Sequence, residues 1–512
     1  MAMPAARAAA SPPPPFTHRE ILEILSGALI GLLLAALDQT VVVTALPAIA
    51  GEFNGLQHLS WIVTAYLLTS TASTPIYGKL SDLYGRRRLI IIGIGIFVAA
   101  SAFCASAQSM GQLIAARTLQ GVGGGGLISM AQAIIADVIS PRERGRYQVY
   151  MSGIWALASV GGPVLGGVFV EYLTWRWVFW INLPIGALGL VLCWRALKRL
   201  PVHGGYPRID YLGAAILVPG VVALLLVASW GGVEFPWLSA PILGLAAAGA
   251  ILLALFSLQE LRAAEPLLPP RLFANPVILT ANAIGFLASA GMFGATVLLP
   301  VFLQLVLHQG AGDTGLLLIP LMGGTVLGAY PTGQWMRASG RYKKAPLLTL
   351  CFAIVAFGTL AFLGGTTPPW LAAIFIGLLG VGIGGAMPAT LVAAQNAAEA
   401  RDIGSATASV AFFRSLGGSF GAAFLWSILL AALDSRLARA GATGMANALL
   451  RGGGAAVDPA VRAVLPEALL HGFHLAFAAG AAVMAAALAL TTRWKEIPLR
   501  AHLARREPSA DL

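Results

Sequence analysis

Fourteen stretches of this 512-residue chain are largely apolar and long enough for a membrane-crossing helix; none alternates like a half-buried strand. They run near 22–47, 60–78, 89–108, 111–137, 147–170, 177–197, 211–230, 238–258, 277–307, 314–336, 346–364, 370–395, 404–433 and 471–492. No water reaches the middle of a bilayer, so a segment there must satisfy its own N–H and C=O groups. A helix of about 20 residues does so and spans the hydrocarbon. A transmembrane barrel would show alternating segments of about 10 residues, and none is present. With 58% hydrophobic and 10% charged residues the chain falls outside the range of soluble domains. The expectation is an all-α integral membrane protein with fourteen transmembrane helices. The long windows near 277–307 and 404–433 leave room for a turn or an interfacial stretch.

Lys and Arg set the orientation. With the N-terminus placed inside, 25 of the 32 basic residues fall on the inner side and only Arg176, Arg436, Arg439, Arg451 and Arg462 on the outer side. That split predicts cytoplasmic termini and an even number of spans in a cell membrane, inner or plasma. It also accounts for the net charge of +11 without nucleic acid, through topology and contact with anionic lipid. Residues 1–20 read as a disordered, Ala/Pro-rich tail, and the first window is too long for a cleavable signal peptide. Cys104, Cys193 and Cys351 all fall within spans and the seven histidines are scattered, which predicts no disulfide framework, no metal site and no cofactor.

Away from the ends of the spans, three charges sit inside them: Asp38, Arg117 and Arg414. A carboxylate at the centre of a bilayer helix costs roughly 3 kcal/mol on insertion scales, so it marks a functional site, and proton coupling is the task it suggests. An arginine within a span needs a partner or a wet cavity; one near Asp38 would favour loss of the proton. Arg414 has no acidic mate in its own helix and is assigned to a cavity wall or gate.

The chain also repeats itself. Gly78 and Gly85 lie seven apart ahead of Arg86-Arg87-Arg88, and Gly333 and Gly340 have the same spacing 255 residues later. The glycine run Gly121 to Gly126 returns at Gly380 to Gly385, shifted by 259. Two nearly equal offsets predict two homologous halves, with the spans near 211–230 and 238–258 inserted between them. The runs satisfy the dinucleotide pattern G-x-G-x-x-G, but no strand, helix start or following acid accompanies them; close helix packing in lipid explains them better.

Gly78 to Arg88, with its glycine, Asp82, glycine and basic cluster in order, resembles the loop motif of the major facilitator superfamily. Arg117-Thr-Leu-Gln120-Gly121-Val-Gly123 resembles that superfamily's fourth-helix motif, and Gly162-Pro163-Val-Leu-Gly166-Gly167 its antiporter motif. Asp38 to Pro47, Trp175 through Gly186 and Arg414 to Gly418 resemble the fourteen-helix drug:proton antiporter branch. Val43 and Ala158 depart from that pattern, and Arg337 stands where the first-half loop has Asp82. The tenth span holds no acid, which removes the basis for a preference for divalent cationic drugs.

The resemblance implies a major facilitator fold, with six-helix bundles at 21–200 and 277–492, inserted helices at 211–258, an outer loop at 434–470 and a cytoplasmic tail at 493–512. It assigns Arg117 to proton transfer beside Asp38, with Gln120 in the same network, and makes Gly78, Asp82, Gly85 and Arg86 a latch in which Asp82 meets a helix N-terminus of the other half. Gly162, Pro163, Gly166 and Gly167 would shape the fifth helix for export. Gln120 is also a candidate cavity residue, and Trp61, Trp155, Phe286, Phe293 and Phe413 are candidate cavity walls, though each is more at home in ordinary helix packing. The expected function is proton-driven export of small amphiphilic, often cationic compounds by a monomer, with no feature that calls for a periplasmic adaptor. An exporter dedicated to one endogenous metabolite, lipid or antibiotic is the alternative. A channel would need a polar pore line, and a membrane enzyme clustered His, Asp or Ser groups at one leaflet; neither is present.

Overall fold

A computed structural model describes residues 18–53, 59–199, 210–232, 234–439 and 459–500. In chain order the helices are α1 (His18–Phe53), α2 (Leu59–Tyr84), α3 (Arg86–Ser106), α4 (Met110–Val138), α5 (Pro141–Tyr172), α6 (Trp177–Trp180), α7 (Asn182–Ala196) and α8 (Tyr211–Trp230). They continue as α9 (Ala240–Glu260), α10 (Pro270–Ala274), α11 (Pro276–Leu305), α12 (Ala311–Ser339), α13 (Lys344–Leu360), α14 (Pro369–Ala397), α15 (Ile403–Arg439) and α16 (Pro459–Arg493). Among the described residues the only extended pairing is an isolated bridge between Gly231 and Phe235.

Each of the fourteen apolar windows coincides with a helix, the sixth being broken into α6 and α7 at Ile181. Among the described residues twelve spans are long and apolar enough to cross a membrane, and α13 is a shorter apolar helix. The 26-residue α2 falls short in apolarity, because Thr64, Thr69, Ser70, Thr71, Ser73 and Thr74 crowd one stretch of it. Those hydroxyls have a use. Thr69 Oγ1 donates to the Thr118 carbonyl at 2.9 Å and Thr74 Oγ1 to that of Gly125 at 3.0 Å, tying α2 to α4. The two longest windows contain no turn: α11 runs unbroken through Pro300 and α15 continues for 37 residues. Lipid supplies no competing hydrogen bonds, so an apolar stretch goes on as helix until polar chain is reached. Residues 18–20 of the predicted disordered tail, 1–20, instead open α1; residues 1–17 and most of the predicted outer loop, 440–458, lie outside the described residues.

The repeat has a structural cause. Gly123 of α4 meets α3 at Phe97, and Gly121 and Gly125 meet α2 at Tyr66 and Ser70, so closely that a Cβ at any of them would collide with backbone. In the second half Gly382 of α14 meets α13 at Ala353, while Gly380 and Gly384 meet α12 at Leu321 and Thr325. Without a hydrophobic drive between helices in lipid, such backbone approach is how they hold together. Gly85 and Gly340, the second glycines of the repeated loop, both have positive φ, 89° and 67°, at the turns into α3 and α13. Only glycine adopts that conformation at no steric cost.

In the first half α1 packs on α4, α5 and α7, and α3 on α4 and α7; in the second, α11 packs on α14, α15 and α16, and α13 on α14 and α16. Across the seam α5 meets α12 and α14, while α2 and α4 meet α15. Helix α8 covers the α2–α15 edge of this seam through Leu217, Val221 and Leu225, with α9 on its outer side. Gly125→Leu is expected to abolish the cooperatively folded protein, since overpacking here displaces backbone. Gly153→Leu, at an exposed glycine with open space around it, is expected to leave it intact. Thermal unfolding in detergent checks the pair.

Candidate functional site

Four helices of the first half converge on one carboxylate. Asp38, in the middle of α1, accepts from Arg117 Nη1 at 2.5 Å through Oδ2. Its Oδ1 accepts from Gln120 Nε2 at 2.8 Å and Asn182 Nδ2 at 3.0 Å. Arg117 and Gln120 stand one turn apart on α4, and Asn182 opens α7. Ser101 of α3 joins the group, its hydroxyl accepting from Gln120 Nε2 at 2.7 Å and donating to the Phe97 carbonyl at 2.9 Å. All five side chains are at most 1% exposed.

The guanidinium is well provided for. Besides Asp38, Arg117 Nη1 donates to Gln120 Oε1 at 2.7 Å and Nε to the Ile62 carbonyl at 3.1 Å. Its flat face lies 4.4 Å from the Tyr66 ring centroid, within cation–π range. An ion pair buried this deeply is repaid only by such extra hydrogen bonds, and losing one partner costs about 3–5 kcal/mol. A proton arriving on Asp38 has a comparable effect, because it cancels one charge and leaves the other.

The pair is mechanically connected to the rest of the protein. Two residues beyond Asp38, the Thr40 hydroxyl donates to the Ala158 carbonyl of α5 at 2.8 Å. Gly162 faces Thr40 and Gly166 faces Thr44 and Val41, each so closely that a side chain would overlap α1. Only these two of the four motif residues touch α1; Pro163 and Gly167 are exposed. The α5 helix then reaches α12 and α14 across the seam.

At the end of the bundle that carries the 78–88 loop, Asp82 is buried against the other half. Its Oδ1 accepts from the Gly404 N–H at 3.0 Å and its Oδ2 from the Ser405 N–H at 2.8 Å, both in the first turn of α15. A carboxylate there satisfies free N–H groups and the positive end of the helix dipole. Arg86 Nη2 donates to Asp82 Oδ1 at 2.6 Å, and its Nε to Asp137 Oδ2 at 2.9 Å. Gly78 lies against Ala408 and Gly404, where a side chain would force the helices apart. Close by, Arg144 Nη1 donates to Gln395 Oε1 at 3.3 Å, another bond between the halves.

The remaining candidates scatter. Gln120 is wholly buried in the Asp38 network and lines no cavity, because its amide is used on Asp38 and Ser101. Trp61 stacks edge-on with Trp230 at 5.8 Å, and Phe286 meets Phe420 at 6.5 Å, both beside the α2–α8–α15 cluster. Phe413 contacts Phe273 and Phe412 in the same region, and Phe293 lies against Gly418. Trp155 instead packs inside the first half. Arg414 reaches Met387 and Thr390 of α14. Sequence reasoning passed over Ser101 and gave Asn182 no role: serine is common in membrane helices, while an asparagine inside an apolar window was a usable signal. Among the described residues no group of three or more His, Cys, Asp or Glu could hold a metal ion.

Comparison with known proteins agrees with this architecture. Residues 28–422 match the model of the Major Facilitator Superfamily. An uncharacterized MFS-type transporter of Mycobacterium tuberculosis is 37% identical over 87% of this chain, which spans 64% of that protein's length. The multidrug transporter protein MdtP of Bacillus subtilis is 38% identical, covering 79% of this chain and 75% of MdtP. The crystal structure of the human organic anion transporter MFSD10 shares the fold with a TM-score of 0.63 at 16% identity, over 94% of this chain and 100% of that one. With the family model covering most of the chain, and the repeated glycine scaffold and seam-crossing loop in place, this multi-pass membrane protein belongs to the Major Facilitator Superfamily.

Proposed function

We propose that the protein is a proton-coupled exporter of amphiphilic compounds, working as a monomer in the cell membrane with both termini in the cytoplasm. It needs no cofactor, and segments 21–200 and 277–492 are its moving halves, with 211–258 inserted between them. The buried Asp38–Arg117 pair carries this reading, as the one ion pair deep within the spans, among the described residues, where a proton would change a helix-bridging interaction. The loop between α2 and α3 sits on the Lys/Arg-rich side, so the Asp82 contact closes the cytoplasmic end. Export is supported by the naming of MdtP as a multidrug transporter, and by the Gly162 and Gly166 contacts of the antiporter-like motif.

In the closed arrangement Asp38 is ionised and holds α4 and α7 through Arg117, Gln120 and Asn182. Protonation removes the charge that Arg117 opposes and turns one acceptor oxygen into a donor. Arg117 keeps the Ile62 carbonyl, Gln120 and the Tyr66 face, so it stays in place while α1 is released. The Thr40–Ala158 bond passes a shift of α1 to α5, and α5 passes it to α12 at the seam. Proton entry and opening of the cytoplasmic end are thereby one event. Asp38 is enclosed by protein donors, so this reading carries no preference for cationic substrates.

Asp38→Asn keeps the shape and loses the titration. In proteoliposomes with an imposed proton gradient, uphill accumulation of an amphiphilic dye is expected to fall to background while downhill exchange persists; full-rate uphill export by the variant would defeat the coupling. Asp82→Ala removes helix-capping contacts worth about 0.5–2 kcal/mol. Spin labels at the exposed Arg88 and Arg401 are expected to report a roughly 2- to 30-fold shift toward the cytoplasm-open population, and an unchanged distance distribution would refute the latch.

A further inference from the structure

The interior of the spans holds two cations and one anion. Asp38 is fully engaged by Arg117, which leaves Arg414 of α15 with no carboxylate among the described residues. Guanidinium remains charged at any physiological pH, so Arg414 cannot relieve its position by losing a proton. A charge there without a counter-ion is costly and persists only with a task.

The geometry shows which part of the group is spent and which is free. Nη2 donates to the Met387 carbonyl and, at 2.8 Å, to Thr390 Oγ1, both on α14. Nε is buried with no partner, and the hydrogen bonds of the group to the described residues are both made by Nη2. The Nε edge looks toward α11 at Gly285, where a Cβ would stand 3.7 Å away. Any larger residue would fill that space. The neighbouring Ser415 contacts Thr71 of α2 at 2.6 Å, so this turn of α15 lies on the seam between the halves, and Arg414 itself keeps some exposure there. Helices α11, α14 and α15 therefore hold a guanidinium that is fixed on one side by α14 and keeps unpaired donors on the other, with the side-chain space of Gly285 beside it, at the seam between the halves.

We propose that Arg414 is a substrate-recognition site that receives an anionic oxygen group, a carboxylate above all, of the transported amphiphile between α11, α14 and α15. The substrate's own charge then neutralises the uncompensated cation, through donors that suit a carboxylate's paired oxygens. The Nη2 contacts to α14 fix the guanidinium plane, so the donors are oriented before the ligand arrives. Acidic or zwitterionic amphiphiles are the class this favours. The inference deepens the exporter reading and rests on it for the word substrate; the anion site itself stands on the geometry.

The test uses the purified full-length protein and two probes with the same aromatic body, a xanthene dye with a free carboxylate and its ethyl ester. Fluorescence anisotropy is expected to show the acid bound roughly 10- to 100-fold more tightly than the ester, the range of a charge-assisted hydrogen bond. Arg414→Met is expected to abolish that preference with ester affinity unchanged, and Arg414→Lys to retain part of it. The empty Met variant should also melt at a higher temperature than the wild type, because an unpaired buried charge is gone, and should gain nothing from the acid. Equal affinity of the wild type for both dyes, or a preference that survives in the Met variant, overturns the proposal. Equal thermal protection by acetate at the dye's concentration overturns assignment to an amphiphile. Should the Met variant fail to fold, an unchanged preference in the Lys variant overturns it as well. Proteoliposomes with an imposed proton gradient separate the two readings: preferential binding of the acid without uphill movement of either dye defeats the exporter reading and leaves the anion site standing.

Discussion

A charge in hydrocarbon has to be matched from within the protein, and the first half of this molecule is arranged around that demand. Asp38 draws Arg117 and Gln120 from α4 and Asn182 from α7, with Ser101 of α3 bracing the amides. None of these groups could reach the carboxylate unless α4 lay against α2 and α3 at backbone distance, which the glycines at 121, 123 and 125 permit. The packing motif and the charge motif of α4 thus interlock: one brings the helix in, the other uses the closeness. An ionisable group at such a junction makes proton binding and helix position a single variable.

The two halves share a scaffold and differ in charge. The glycine runs of α4 and α14 make equivalent contacts with the two preceding long helices, and Gly85 and Gly340 turn the chain at equivalent places. At the 259-residue offset, however, Arg117 and Gln120 correspond to Ile376 and Leu379, both in the apolar core of the second half. At the 255-residue offset of the repeated loop, Asp82 corresponds to Arg337. On the proposed reading proton chemistry is confined to one half, and the second contributes the cation Arg414 together with the α15 N-terminus that Asp82 grips. A division of this kind lets proton and substrate act on different bundles that communicate only at the seam.

Much of this was readable in the chain because the bilayer imposes a severe local rule. Apolar windows located every long helix, and isolated charges pointed to Asp38, Arg117 and Arg414. Their partners were less legible. Nothing in α3 distinguishes Ser101 from serines that bond only to their own helix, and Asn182 gains its role from the break at Ile181, which the apolar count had smoothed over. Gln120 looked like a cavity residue from its place beside Arg117, but its helical phase turns it into the Asp38 cluster. In the antiporter-like motif, Gly162 and Gly166 share the face toward α1, whereas Pro163 and Gly167 lie on the outer surface. Sequence supplies residue types and spacing, while the assignment of partners depends on which helices the glycines bring together.

The central claim is that the proton on Asp38 governs the state of the transporter, and proton release on substrate binding measures this most directly. The purified protein, in weakly buffered detergent solution near neutral pH with a pH-sensitive dye, is mixed with a saturating amphiphilic substrate. The account predicts release of about one proton per protein, absent in Asp38→Asn although that variant still binds the compound. A proton change of equal size in the Asp38→Asn protein would place the coupling elsewhere and contradict the account.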